Sequence, residues 1–165
     1  MDNDFQNKTK DVNKEESILG LVVYSPIIYF LIFLVGFIAH FYYPIALPWG
    51  NYLFPIGVVL IFLAPLLIIW SQLSIKKFIE NERAKKSEPL LNVGPYKYSR
   101  NPIYLSLALL TLGFSFISSS LLMLVSTIVS FLIVNIVILK REEKLMHKKY
   151  GDEYISYKSR VRPWI

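Results

Sequence analysis

The polar and apolar positions of this chain fall into long blocks, not into a short amphipathic repeat. Three uncharged runs dominate: Ile18 to Ala39, Tyr52 to Ile75 and Ile103 to Leu139. The first two hold 22 and 24 residues, enough for a helix across about 30 Å of hydrocarbon. The third holds 37 residues and is divided by Ser118-Ser119-Ser120, which predicts a helical hairpin. Its first arm has about 15 apolar residues, short for a full crossing. That arm must begin at Pro102, run through the serines, or sit in a thinned bilayer with little tilt. The pattern predicts an all-α integral membrane protein with about four transmembrane helices, two of them forming a hairpin in the C-terminal half.

Polar blocks separate these runs. Residues 1–17 are polar with both signs of charge and read as a disordered tail. Their acids and the length of the next run argue for a retained first span, not a cleaved signal peptide. Pro26, Pro55 and Pro65 lie inside apolar runs, where neighbouring helices satisfy the carbonyls they free. His40 to Asn51 has no Lys or Arg and several aromatics, which suits a short outer loop at the interfacial belt. Lys76 to Arg100 predicts a helix extension and then a loop from Ser87 to Ser99. Lys140 to Ile165 is basic, and Tyr150, Tyr154 and Tyr157 recur at helical spacing, which suits an interfacial C-terminal helix unless Gly151 breaks it.

Charge orients the spans. Lys and Arg number 3, 0, 7, 0 and 8 through the alternating tails and turns. The positive-inside rule then places both termini in the cytosol, in the inner membrane if the source is bacterial. The opening of the third run and the C-terminal segment thus share one face. Composition agrees: 54% of the 165 residues are hydrophobic and mean hydropathy is +0.44, too apolar for a soluble domain of this size. The formal charge of +6 sits beside apolar runs, so it speaks for membrane orientation and not for nucleic acid. There are no cysteines, and His40 and His147 are far apart, so neither disulfides nor a transition-metal site is expected. Residues 18–165 read as a single domain.

Candidate chemistry lies at the shared face. Gly94-Pro95 marks a turn, and Asn101-Pro102 marks a helix start with Asn101 as N-cap. A helix N-terminus presents unpaired N–H groups and the positive end of its dipole, and Arg100 adds a charge. That combination suits an anionic group. The plain alternative is a capped helix with a snorkelling arginine. Glu142 has Ile138, Leu139, Leu145 and Met146 as its helical neighbours, so it lies on an apolar stripe with no partner on its own helix. Asn135, seven residues earlier, shares roughly that face. Glu143 instead has Lys140 and His147 within helical reach. Simple hydration of both acids at the interface is the plain alternative here. An anion-favouring helix start beside a carboxylate suits a ligand with both charges.

The stretch Gly94 to Tyr104, Gly113 in the hairpin, Glu142-Glu143-Lys144-Leu145-Met146 and Tyr150 to Tyr157 resemble a superfamily of membrane methyltransferases. These are the isoprenylcysteine carboxyl methyltransferases and phospholipid N-methyltransferases. The likeness covers residues 88–164, the cofactor-binding half. It implies S-adenosylmethionine as cofactor, with contacts on Glu88, Pro89, Leu90, Leu91, Tyr96, Asn101, Pro102, Ile103, Tyr104 and Glu142, and the anion-favouring helix start adds Arg100 for the methionine carboxylate. It implies Arg100, Tyr104 and Glu142 as the reactive centre, and a lipophilic methyl acceptor met in the membrane. Prenylcysteine enzymes carry His where Asn101 stands, and a substrate arginine where Ile138 stands. Both departures weigh against a prenylcysteine carboxylate. A sterol-type reductase using NADPH resembles the C-terminal region too. A membrane scaffold or small transporter accounts for the spans but not for Glu142. Sequence names neither the acceptor nor the oligomeric state.

Overall fold

The computed structural model describes residues 26–83 and 93–164. The polar tail, the start of the first apolar run, and Glu88, Pro89, Leu90 and Leu91 lie outside the described residues. Within them the chain is helical, with no strand beyond one isolated bridge. In order the elements are α1 (Pro26–Tyr42), α2 (Gly50–Arg83), a 3₁₀ turn (Gly94–Lys97), α3 (Pro102–Ile117), α4 (Leu121–Ile133), a π-helical turn (Val134–Ile138), α5 (Leu139–Tyr150) and α6 (Asp152–Arg160).

Two helical stretches are long and apolar enough to cross a membrane, Gly50–Asn81 and Leu121–Tyr150; α1 and α3 are apolar and shorter. The most apolar window of α2 is only 11% buried, so α2 is not the core helix of a soluble domain. Its Phe54, Val59, Phe62, Leu66 and Leu73 all face outward. Much of what the bundle buries is small and hydroxylated: Ser71, Ser106, Ser115, Ser120 and Ser130 are fully enclosed, beside apolar side chains such as Tyr29, Met123 and Val134. This inside-out distribution is that of a membrane protein. Lipid tails are as apolar as Leu, so close packing and hydrogen bonds, not the hydrophobic effect, hold helices together.

The buried hydroxyls bond mainly to their own helix one turn back. Thr111 donates to the Leu107 carbonyl at 3.0 Å, Ser115 to Thr111 at 2.7 Å and Ser130 to Ser126 at 2.8 Å. A few also cross between helices: Ser115 and Thr127 lie 3.4 Å apart, and the Tyr29 phenol is 3.2 Å from Thr111 Oγ1. With the hydroxyls satisfied, backbones can approach. A Cβ on Gly57 would stand 2.9 Å from the Gly113 carbonyl oxygen, so α2 and α3 touch main chain to main chain. α3 has one strongly exposed large apolar residue, Phe114, and is the central helix of the bundle.

The hairpin is present where the serine triplet predicts it. Ser119 takes φ +47°, and Ser120 caps α4 by accepting from the Met123 N–H at 3.3 Å. The uncharged loop after α1 seals this end. Leu47 N–H donates to the Ser119 carbonyl at 2.8 Å, and Leu121 N–H to Ile45 at 2.9 Å. At the opposite end α2 continues past Ile75 to Arg83, as the polar extension predicts. Gly151, at φ +55° and ψ −126°, does break the C-terminal helix into α5 and α6. Tyr154 and Tyr157 then turn inward onto Phe78 and Tyr96, so that face of the tyrosine stripe meets protein.

Candidate functional site

The site is assembled at the charged end of the bundle, where the start of α3, the start of α5, α6 and the chain's last residues meet. Its entry is the 3₁₀ turn. Gly94 takes φ +49°, and a Cβ there would stand 2.0 Å from Ser74 Oγ on α2, so only glycine permits both the turn and the contact. The turn delivers Tyr96 to the interior, where its carbonyl accepts from the Tyr157 phenol at 2.8 Å. Tyr98 ends the turn, and Ser99 to Asn101 lead into α3.

Asn101 holds the N-cap position, but its side chain makes no capping bond. Its amide instead donates to the Pro163 carbonyl at 3.0 Å, and Ser99 Oγ donates to the same oxygen at 3.2 Å. The Arg100 N–H donates to the Arg162 carbonyl at 3.0 Å. The C-terminal segment therefore runs along the mouth of α3. Trp164 of this segment lies against Phe131, ring centroids 4.6 Å apart.

Arg100 and Tyr104 lie one turn apart and each meets an acid of α5. Tyr104 OH donates to Glu142 Oε1 at 2.5 Å. Arg100 Nη1 donates to Glu143 Oε1 at 2.5 Å, in an ion pair with the arginine side chain 9% exposed and the glutamate 25%. Lys158 Nζ on α6 reaches the other oxygen, Glu143 Oε2, at 2.6 Å. The Arg100 charge also acts on the Tyr154 phenol and offsets part of the rise that burial imposes on it. The Arg100 Nε is buried with no partner in the structure. Glu143 thus ties α3, α5 and α6 together, and it pairs with neither Lys140 nor His147. Helical spacing reports only neighbours on the same helix, and the stronger partners come from other elements.

Among the sequence-derived site residues, the structure unites Tyr96, Arg100, Asn101, Pro102, Ile103, Tyr104 and Glu142. Pro102 and Tyr104 are buried, and Ile103 is half-buried. Tyr96 is close enough for the Glu142 charge to act on it. Burial first, and that charge second, push its phenol well above the ordinary tyrosine value. Burial likewise raises Tyr154 and, more strongly, Tyr157. All three phenols remain protonated donors through neutral pH.

Ile138 and Leu139 are buried with Tyr29, Tyr104 and Val134, and Trp164 packs against them. Asn135 does not share the Glu142 face. It is exposed, because the π-helical turn adds residues to one turn and rotates what precedes it. Glu143, Ser99, Lys158, Pro163 and Trp164 are the site residues that spacing missed. A Pro-Trp pair after a charged helix was the one visible signal for the last two.

This arrangement has relatives. Residues 52–153 match the phospholipid methyltransferase family (PEMT). The chain belongs to the phospholipid methyltransferase family. The matched range runs from α2 to the start of α6, and so includes Arg100, Tyr104, Glu142 and Glu143. Trp164 and the segment along the mouth of α3 lie beyond it. The chain is also similar to an uncharacterized protein of Haemophilus influenzae (strain ATCC 51907 / DSM 11121 / KW20 / Rd), 36% identical over 63 residues, which are 38% of this chain and all of that protein. No solved structure matches.

Proposed function

We propose that this protein transfers a methyl group from S-adenosylmethionine to a lipophilic acceptor at the cytosolic membrane face. The observation that carries the reading is the Tyr104–Glu142 hydrogen bond beside buried Arg100, in a chain of a methyltransferase family. The Lys and Arg distribution supports four spans with both termini in the cytosol, and hence this face for the site. The two shorter helices would then lie in locally thin bilayer.

The residues suit the cofactor's methionine end. A buried guanidinium with an unpaired Nε–H calls for an acceptor, and a carboxylate is one. Glu142, its oxygen fixed by the Tyr104 hydroxyl, suits an amino group or ribose hydroxyls. When bound, S-adenosylmethionine supplies a methyl made electrophilic by its sulfonium. The chain's own work is placement and exclusion of water. Glu143 and Lys158 hold the guanidinium in position, so both are positioning residues. The apolar cluster of Tyr29, Ile138, Leu139 and Trp164 packs with Tyr104 and so adjoins the Tyr104–Glu142 pair, which suits a lipophilic acceptor. By the resemblance, Ile138 stands where prenylcysteine enzymes carry a substrate arginine, which weighs against a carboxylate acceptor.

The test is binding and transfer with the purified full chain in detergent. Titration calorimetry should show saturable S-adenosylmethionine binding, and methyl-labelled cofactor should label an extract of membrane lipids. Arg100→Lys should weaken binding about ten- to a hundredfold, because an ammonium lacks the planar fork. The exposed control Lys97→Arg should change little. Binding of NADPH in place of S-adenosylmethionine would end the reading.

A further inference from the structure

α5 carries a second feature on its outer side. Lys140, Arg141, Lys144, His147 and Lys148 are all exposed and fall on one stripe of the helix. Both acids of α5 turn away from it: Glu142 bonds Tyr104, and Glu143 bonds Arg100 and Lys158. No described acidic residue pairs with Lys140, Arg141, Lys144 or Lys148. Four fixed positive charges therefore stand together without compensation.

The stripe prolongs a lipid-facing surface. Leu132, Ile136 and Val137 are 47%, 56% and 42% exposed, and they precede Lys140 and Arg141 by two turns and one turn of the same continuous helix. The face that meets acyl chains thus becomes cationic where it leaves them. The headgroup layer is about 5–8 Å deep on each side of the hydrocarbon. At about 1.5 Å per residue, Lys144 stands about 6 Å beyond Lys140 and Lys148 about 12 Å. The first three charges lie within headgroup depth, and Lys148 lies about 4–7 Å beyond it, just inside one Debye length of roughly 8 Å.

From this placement we infer that the α5 stripe is a binding surface for anionic phospholipid headgroups of the adjoining leaflet. The occupant follows from charge complementarity and from continuity with the acyl-facing surface. The inference is independent of methyl transfer, since the stripe and the Tyr104–Glu142 pair occupy different sides of α5. A basic residue near an anionic surface strengthens association about fivefold, and the effect falls with distance. Lys140 and Arg141 should therefore matter most and Lys148 least.

The experiment reconstitutes the full chain in phosphatidylcholine vesicles carrying spin-labelled phosphatidylglycerol or spin-labelled phosphatidylcholine. Electron spin resonance then measures the protein-associated fraction of each probe. The parent should prefer phosphatidylglycerol about fivefold or more, and 0.5 M salt should weaken that preference. Lys140→Gln/Arg141→Gln/Lys144→Gln/Lys148→Gln should bring it close to unity, while Lys76→Gln/Lys77→Gln on α2 should leave most of it. The quadruple variant keeps Lys149, Lys158, Arg160 and Arg162 for orientation. Should it not insert, Lys140→Gln/Lys144→Gln serves and should lose most of the preference. Equal association of both probes with the parent would overturn the inference, as would a preference retained by the stripe variants. Polyglutamate binding to the parent without a phosphatidylglycerol preference would assign the stripe to an acidic soluble partner instead.

Discussion

The two ends of the helical bundle are held together by different forces. At the neutral end, the loop after α1 and the serine hairpin join through main-chain bonds, Leu47 to Ser119 and Leu121 to Ile45. No charged residue takes part. At the other end, side chains do the joining: Arg100 and Lys158 on Glu143, Tyr104 on Glu142, Asn101 on Pro163. Main-chain bonds and small-residue packing depend little on pH or salt, and they set helix spacing. Ion pairs and oriented carboxylates can also receive a polar ligand. One end is therefore the frame, and the other end carries the groups proposed to hold the methyl donor.

Breaking the frame should do the most damage. A Cβ on Gly113 already stands 3.0 Å from the Gly57 carbonyl oxygen, so Gly113→Leu must push α2 and α3 apart. The cost should be about 3 kcal/mol, the upper part of the overpacking range. Thermal unfolding in detergent should show it, and binding of the proposed methyl donor should fall with it. Normal stability would mean that the two backbones do not touch.

The acidic pair separates the two kinds of work within the charged end. Glu142→Gln should cost about 1.5–3 kcal/mol of donor binding, the value of a hydrogen bond to a charged group, with little change in stability. Glu143→Gln leaves buried Arg100 without its carboxylate. Because Glu143 is 25% exposed, the stability loss should be about 2 kcal/mol, below the range for a fully buried pair. Calorimetry and unfolding, run on both variants, check this. Identical profiles for the two would erase the distinction.

Alkali should open the charged end without any mutation. Tyr96, Tyr154 and Tyr157 have phenols raised above the ordinary value, chiefly by burial. The unfolded chain loses those protons near pH 10 while the folded chain keeps them. Stability from these groups is thus complete below about pH 10 and declines above it, by at most about 1.4 kcal/mol per tyrosine at pH 11. The emission of Trp164, packed next to this region, should shift before the bundle unfolds. A smaller effect is expected at the frame. Ser120→Ala removes the α4 cap and should cost about 1 kcal/mol, with donor binding unchanged.

Much of this was legible in one dimension. Apolar runs must be helical in lipid, because no other open structure satisfies the backbone there. The hairpin at Ser118 to Ser120, the extension of α2 past Ile75, the turn at Gly94 and the break at Gly151 all follow from local chemistry. Who meets whom did not follow. Arg100 finds Glu143 across 43 residues, Tyr104 finds Glu142 across 38, and Asn101 finds Pro163 across 62. Helical spacing counts only three or four residues in either direction, so it offered Glu143 to Lys140 and His147. The π-helical turn was equally invisible, and it alone moved Asn135 away from the Glu142 face. The sequence by itself determined the helices, their ends and the charge at each end. Only tertiary packing decided which acid orients, which one ties three elements together, and that the C-terminal segment lies across the mouth of α3, because those choices compare partners brought close by the fold.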